Sequence, residues 1–320
     1  MKPIRFIPDG THIGFMKHRY WSFPMSSLLI VASMVLYLIF NLNFGIDFKG
    51  GTLIEIKTAE ETADVANIRA NLNALDLGDV EVQEFGAPDD VLIRIQTQEP
   101  TDELSAEEAQ QLVVDQVKET LGSSVDYRRV EVVGPRVSGE LASAGTISVL
   151  SALFAVLVYI WFRFEWQFAL GAVVATVHDV LLTIGVFALL QIEFNLTTIA
   201  AILTIVGYSL NDTVVVYDRI RENLRKYKKK PLKEVLDLSI NQTLSRTLLT
   251  SVTTLLALGS LYFLGGEVIR SFTFAMIWGV FVGTYSSIFI AAPLLIFLNL
   301  RAEQVHQEEE TDGSGNVTAS

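Results

Sequence analysis

The sequence predicts a polytopic α-helical membrane protein of six transmembrane helices, with one small α+β domain between the first helix and the second. Three observations predict it. Half of the 320 residues are hydrophobic and only 19% are charged, where a soluble domain carries about a quarter. The apolar residues are clumped into stretches of 17 to 25 residues with one charge or none, long enough to cross ~30 Å of hydrocarbon as a helix. Between the first two stretches, residues 41–142 are polar and show short alternating patterns of their own.

The spans fall at Trp21–Phe40, Ala144–Phe162, Trp166–Leu190, Leu196–Tyr217, Thr247–Leu264 and Ser271–Leu300. The chain then divides into an N-terminal tail (1–20), the first helix (21–40), the small domain (41–142), a five-helix membrane domain (143–300) with a basic loop (218–246), and a polar, acidic tail (301–320) expected to be disordered. The first span is too long for a signal-peptide core and lacks an A-x-A cleavage site, so it is expected to remain as an anchor.

Lysine and arginine set the orientation. Fifteen lie on one side, in the N-terminal tail (Lys2, Arg5, Lys17, Arg19), at Arg163, between Arg219 and Arg246, and at Arg301. The short connections on the other side, residues 191–195 and 265–270, have one, Arg270. Both termini are therefore expected in the cytoplasm and residues 41–142 outside it. Trp161, Trp166, Tyr217 and Tyr262 near span ends fit an interfacial aromatic belt.

Within the external segment, Gly51–Lys57 alternates as a strand, and Val65, Ile68, Leu72 and Leu75 have helical spacing. Val80–Phe85 and Val91–Gln96 read as a hairpin around a turn at residues 86–90. Ser105 and Glu108 form a capping box for a helix ended by Gly122, and Val125–Val133 closes the series as a strand. The order βαββαβ implies a ferredoxin-like sandwich of two helices on one sheet.

Composition excludes several kinds of chemistry. The chain has no cysteine, so thiolate metal sites, iron–sulfur clusters and cysteine nucleophiles are ruled out. Its four histidines (His12, His18, His178, His306) never fall at metal-ligand spacing, and no cofactor is expected. The net charge of −12 argues against nucleic acid as partner. Residues 41–142 carry most of that excess, with 21 acidic side chains against 8 basic ones. The run from Arg219 to Lys230 is first a topology signal, and it can also meet anionic lipid headgroups.

Charges inside spans are costly and raise a functional question wherever they occur. Asp179 and Asp212 are of this kind, and Arg246 stands at the start of span five. Span four enters from outside, which puts Asp212 ~25 Å along it, at a depth similar to that of Arg246. An acid and a base at one depth on antiparallel neighbours can pair. Thr243, Thr247, Thr250, Ser251 and Thr254 add hydroxyls near Arg246 along span five. Three readings stand: a structural ion pair with hydroxyl glue, a carboxylate reaching the interface, or a proton relay. His178 beside Asp179 is either a hydrogen-bond node or a second relay. Gly279 and Gly283 match a GxxxG packing pattern.

Several stretches together resemble the SecF family, the smaller half of the SecD–SecF protein-export pair. They are Phe44-Gly-Ile-Asp-Phe-Lys-Gly-Gly51, Val133-Gly-Pro-Arg-Val-Ser-Gly-Glu140, Val177-His-Asp-Val180, the stretch from Gly207 to Asn223, and the stretch from Asn241 to Ser251. The resemblance covers residues 15 to 298. It implies membership of the resistance-nodulation-division superfamily, a bacterial inner-membrane location with the small domain in the periplasm, and pairing with SecD. It also implies association with the SecYEG channel and YajC, and use of the proton-motive force to help draw preproteins outward. By the same resemblance Asp212 and Arg246 are the proton-coupling charges, and the proton is the coupling ion. Asp179 falls in the family pattern without a role in its mechanism, and Asp179 with His178 remain weaker candidates from the residues themselves.

Rival readings are a passive assembly subunit, a proton-driven small-molecule efflux subunit, and an intramembrane aspartyl protease. Efflux pumps of that superfamily are about three times longer and carry two large external loops per chain. The protease reading conflicts with the expected ~10 Å or more of depth between Asp179 and Asp212, since a catalytic dyad must share a proton.

Overall fold

The computed structural model describes residues 11–98, 105–122 and 125–300. The tail expected to be disordered, and with it Arg301, lies outside the described residues, as do Lys2 and Arg5.

Six helices are long and apolar enough to cross a membrane. They are α1 (Arg19–Phe40), α5 (Pro135–Arg163), α6 (Trp166–Leu190), α7 (Leu196–Lys226), α8 (Leu232–Leu264) and a sixth span, Arg270–Phe297. The sixth is built from α9 (Arg270–Ser286), a π-helical turn (Ser287–Ala291) and α10 (Ala292–Phe297). Within their most apolar windows α6, α7 and the sixth span are 56%, 39% and 61% buried, against 11%, 6% and 11% for α1, α5 and α8. The first three therefore form the centre of the bundle. The others turn most of their apolar surface outward, as helices facing lipid or another protein do.

Close packing at the centre depends on small residues. A Cβ on Gly279 would lie 2.3 Å from Ile205 Cγ1, and one on Gly283 would lie 3.1 Å from Ser209 Cβ. The GxxxG pair thus seats the sixth span on α7.

Three helices run past the spans read from the sequence. The α5 helix begins at Pro135, its missing N–H falling where no intrahelical bond is available anyway. It crosses the boundary drawn at residue 142 without a break. The basic segment 218–246 is helix on both sides of a short turn at residues 227–231 rather than a loop. Its charges ride on extensions of α7 and α8 whose inner faces (Ile220, Leu224, Val235, Leu236, Ile240) are buried against each other. Asn223 Nδ2 donates to Ser239 Oγ at 2.9 Å and to Gln242 Oε1 at 2.8 Å in the same contact.

The small domain consists of β2 (Gly51–Thr58), α3 (Val65–Asn73), β3 (Val80–Phe85), β4 (Ala87–Ile95), α4 (Ala106–Leu121) and β5 (Val125–Val133). Its sheet has the order β3-β4-β2-β5, with every neighbouring pair antiparallel. Ile54, Ile56, Val82, Val91 and Ile93 line one face and bury Ile68 and Leu72 of α3 with Val113 and Val117 of α4, at ~1.5–3 kcal/mol for each large side chain. The capping box of Ser105 and Glu108 is formed.

The hairpin is tighter than its sequence implied. Gly86 adopts φ +83° and β4 starts at Ala87, so residues 87–90 are strand, not turn. Pro88 is accommodated there because its carbonyl, rather than a missing N–H, makes the bond, accepting from Ala63 N at 2.8 Å.

The remaining elements are two-residue strands, β1 (Asn43–Phe44) and β6 (Glu193–Phe194), which pair in parallel, and the single turn α2 (Ile46–Lys49). Ile46 covers Leu53 and Leu92 on the second face of the sheet. Elements this short carry no periodicity, and sequence reading missed them.

Candidate functional site

Asp179 lies in the middle of α6 and is 0% exposed. Its Oδ2 accepts from Ser209 Oγ of α7 at 2.6 Å and from Ser286 Oγ of α9 at 2.7 Å. Its Oδ1 is 2.9 Å from Nδ1 of the equally buried His178. A carboxylate inside a bundle is tolerable when its oxygens are supplied with donors in this way. The imidazole's Nε2 is buried with no hydrogen-bond partner among the described residues, and the ring lies 6.1 Å from that of Tyr285.

Asp212 is half-buried on α7. Thr247 Oγ1 of α8 donates to its Oδ1 and Ser287 Oγ to its Oδ2, both at 2.6 Å. Asp179 and Asp212 are therefore held by consecutive residues of the sixth span. The wide separation in depth expected from residue counting does not hold. Side chains on a helix tilt toward its N-terminus, and α6 and α7 run in opposite directions, so these two carboxyls lean toward each other.

The sixth span is the hub of this network. Thr284, Tyr285, Ser286 and Ser287 are consecutive, and each hydroxyl meets a different helix. Thr284 Oγ1 is 2.7 Å from Ser251 Oγ on α8, and Tyr285 OH is 3.0 Å from Ser26 Oγ on α1. Ser286 reaches α6 and Ser287 reaches α7. In a regular α-helix four successive side chains spread over 300°, and the π turn that begins at Ser287 adjusts the last of them. Sequence reading missed Ser286 and Ser287. The signal available was the run Thr-Tyr-Ser-Ser inside an otherwise apolar span.

Arg246 is placed differently from expectation. It is exposed, and it makes no ion pair with Asp212 among the described residues. It directly precedes Thr247, whose hydroxyl bonds Asp212. The expected hydroxyl stripe splits by helical geometry: Thr243, Thr247 and Ser251, four residues apart, point inward, whereas Arg246 and Thr250 point outward. Gly207 and Asn211 of α7 are exposed too. The outward face of α7 and α8 near Asp212 thus carries a polar amide and a guanidinium.

The fold and site define a polytopic helical membrane protein whose central helices share a network of two carboxylates, one buried and one half-buried, and their hydroxyl donors. The sequence matches the family described as "Protein export membrane protein SecD/SecF, C-terminal" over residues 113–301, and the "SecD/SecF GG Motif" over residues 39–61. It is 51% identical over 308 residues to the protein translocase subunit SecF of Rhodobacter capsulatus, covering 93% of this chain and 92% of that one. It is 45% identical to the corresponding subunit of Rickettsia bellii over 307 residues, covering 94% of this chain and 99% of that one. Its structure resembles the crystal structure of SecDF, a translocon-associated membrane protein from Thermus thermophilus. The TM-score is 0.80 and the identity 34%, over 92% of this chain and 40% of that longer one. The chain belongs to the SecD/SecF family of protein-export membrane proteins, which are transport components rather than classical enzymes.

The glycine motif has a visible physical basis. Gly50 and Gly51 have φ of +73° and +114°, and a Cβ on Gly51 would stand 2.3 Å from the carbonyl oxygen of Ile95. Only glycine fits there.

Proposed function

We propose that this chain acts as the SecF half of a SecD–SecF pair in a bacterial inner membrane and uses the proton-motive force to assist preprotein translocation through the SecYEG channel, with YajC as a further associate. The observation that carries the reading is Asp212, a half-buried carboxylate bonded at once to Thr247 on α8 and Ser287 on the sixth span, beside the outward charge of Arg246. The outward polar surface of Gly207, Asn211 and Arg246 supports SecD as the occupant. The positive-inside count supports cytoplasmic termini. The same count supports a periplasmic position for the small domain, whose strand order supports a ferredoxin-like fold.

In this reading the ionised Asp212 accepts from both hydroxyls and attracts Arg246. Protonation converts one of its oxygens into a donor and cancels the attraction. The three helices then settle in a second arrangement, and release of the proton on the other side of the membrane restores the first. One charge moved through the membrane potential supplies ~2.3 kcal/mol per 100 mV, enough to bias a two-state element. Asp179 with His178, joined to the same span through Ser286, is the second proton-binding position.

The test is preprotein release from inverted vesicles with and without an imposed proton gradient, comparing Arg246→Met with wild type at equal complex assembly. Loss of the gradient-dependent component alone supports the reading. Unchanged release refutes it and leaves the chain as a passive assembly subunit.

A further inference from the structure

The small domain is continuous with α1 and α5, but residues 43–47 leading into it and Arg94 of its β4 also bind residues 193–196. That segment is the connection into α7, the helix that carries Asp212. Gly45 N donates to Phe194 O at 2.9 Å, continuing the parallel pair of β1 and β6. Asp47 accepts from Leu196 N, the first residue of α7, at 2.8 Å. The first N–H groups of a helix have no intrahelical partner and sit at its positive end, so Asp47 caps α7 from another part of the chain, next to the helix's own cap, Asn195. Arg94, rooted in β4 between the buried Ile93 and Ile95, pairs with Glu193 and reaches Asn43 Oδ1 at 3.5 Å. A Cβ on Gly45 would lie 2.6 Å from the Glu193 carboxylate, so the segment is packed as closely as glycine permits. Phe44, Phe48 and Phe194 close the contact from the apolar side, with ring centroids 5.8–5.9 Å apart.

We infer that this clasp of Asp47, Arg94 and Glu193 is the linkage that carries motion of α7 to the small domain. The residues are positioning residues for the export activity, and the inference rests on the function proposed above. From Leu196 to Asp212 the helix is a continuous rod of ~24 Å. A displacement of α7 prompted by Asp212 therefore reaches the clasp, and the paired strands and the guanidinium deliver it to the β4 side of the sheet. The clasp stays closed throughout the cycle, because a link that opened would transmit nothing.

The chain has no cysteine, which permits a test that both cuts and restores the link in one protein. Asn43 and Glu193 are register partners in neighbouring strands, with a spacing of ~4.8 Å that suits a disulfide. In vesicles holding the assembled complex, Arg94→Gln and Asp47→Ala are expected to lower the gradient-dependent component of preprotein release about fivefold or more, within the range of ordinary coupling energies. The gradient-independent component should stay at its wild-type level, which a general loss of structure would not spare. Asn43→Cys with Glu193→Cys should show the same loss when reduced and recover at least half of the component when oxidised. If the cuts leave the component within twofold of wild type, or if oxidation abolishes it, the linkage is wrong. Asp212→Asn run in parallel separates the two claims. If it retains the component, the proposed function falls and the linkage with it; if it loses the component while the cuts do not, the linkage alone falls.

Discussion

Asp179 and Asp212 stand on neighbouring antiparallel helices and are gripped by consecutive serines of a third, Ser286 at 2.7 Å from the one and Ser287 at 2.6 Å from the other. This relationship ties the two acidic positions into one unit. A change in the hold on either carboxylate is felt where α9 passes into the π turn, a kind of segment frequent at functional sites. It also removes the depth objection to an aspartyl protease. That reading now fails for another reason, since Asp179 has no exposed surface on which a peptide bond could be presented.

Asp179 holds three partners, and the cost of deleting it follows from what is left behind. Asp179→Ala orphans Ser209, leaves Ser286 only the Gly283 carbonyl, and takes the carboxylate from His178. Breaking a buried charge network costs roughly 3 kcal/mol or more. Thermal unfolding in detergent should show a lower midpoint for Asp179→Ala than for the half-buried Asp212→Ala, and Asp179→Asn should fall between Asp179→Ala and wild type.

Packing of the sixth span on α7 gives a second expectation. The Cβ of Gly279→Ala would meet the stiff, β-branched Ile205 at 2.3 Å, whereas that of Gly283→Ala meets Ser209 at 3.1 Å. Overpacking of the first kind costs about 1–3 kcal/mol. Gly279→Ala should lower the thermal midpoint by at least twice as much as Gly283→Ala. Equal effects would mean that the two glycines do not seat against α7 as described.

A pH dependence resides in the small domain. The backbone N–H and hydroxyl of Ser105 hold the Glu108 carboxyl below its ordinary value of 4.5. A carboxyl lowered on folding contributes stability that is complete above its unfolded value and disappears as pH falls through the folded one. Protection of the first-turn amides of α4, with the intrinsic pH dependence of exchange divided out, should therefore be greatest above about pH 4.5 and fall below it, and Ser105→Ala, which removes the hydroxyl but keeps the backbone N–H, should reduce that response.

Much of this was legible in the sequence because the signals were long or chemically forced. Six charge-poor runs gave the spans, alternation gave β2, and the Ser105–Glu108 spacing gave the start of α4. What escaped detection has physical reasons as well. The helical extensions of α7 and α8 are amphipathic, with apolar inner faces hidden among lysines and arginines. Arg246 and Thr247 are adjacent in sequence but point in different directions, so the position beside the expected ion-pair partner, rather than the partner itself, bonds Asp212. The hydroxyls of Ser286 and Ser287 are uncharged and common in membrane helices, and their importance emerges only when the helices are assembled. The clasp at Asp47, Arg94 and Glu193 joins three segments distant in the chain and has no local pattern at all.

The measurement that bears most directly on the central claim is gradient-dependent preprotein release from vesicles carrying Asp212→Asn, at wild-type levels of the assembled complex. Asparagine keeps the shape and one acceptor oxygen for Thr247 or Ser287 but cannot ionise. The account predicts loss of the gradient-dependent component with the remainder intact. Full gradient stimulation in Asp212→Asn would contradict it.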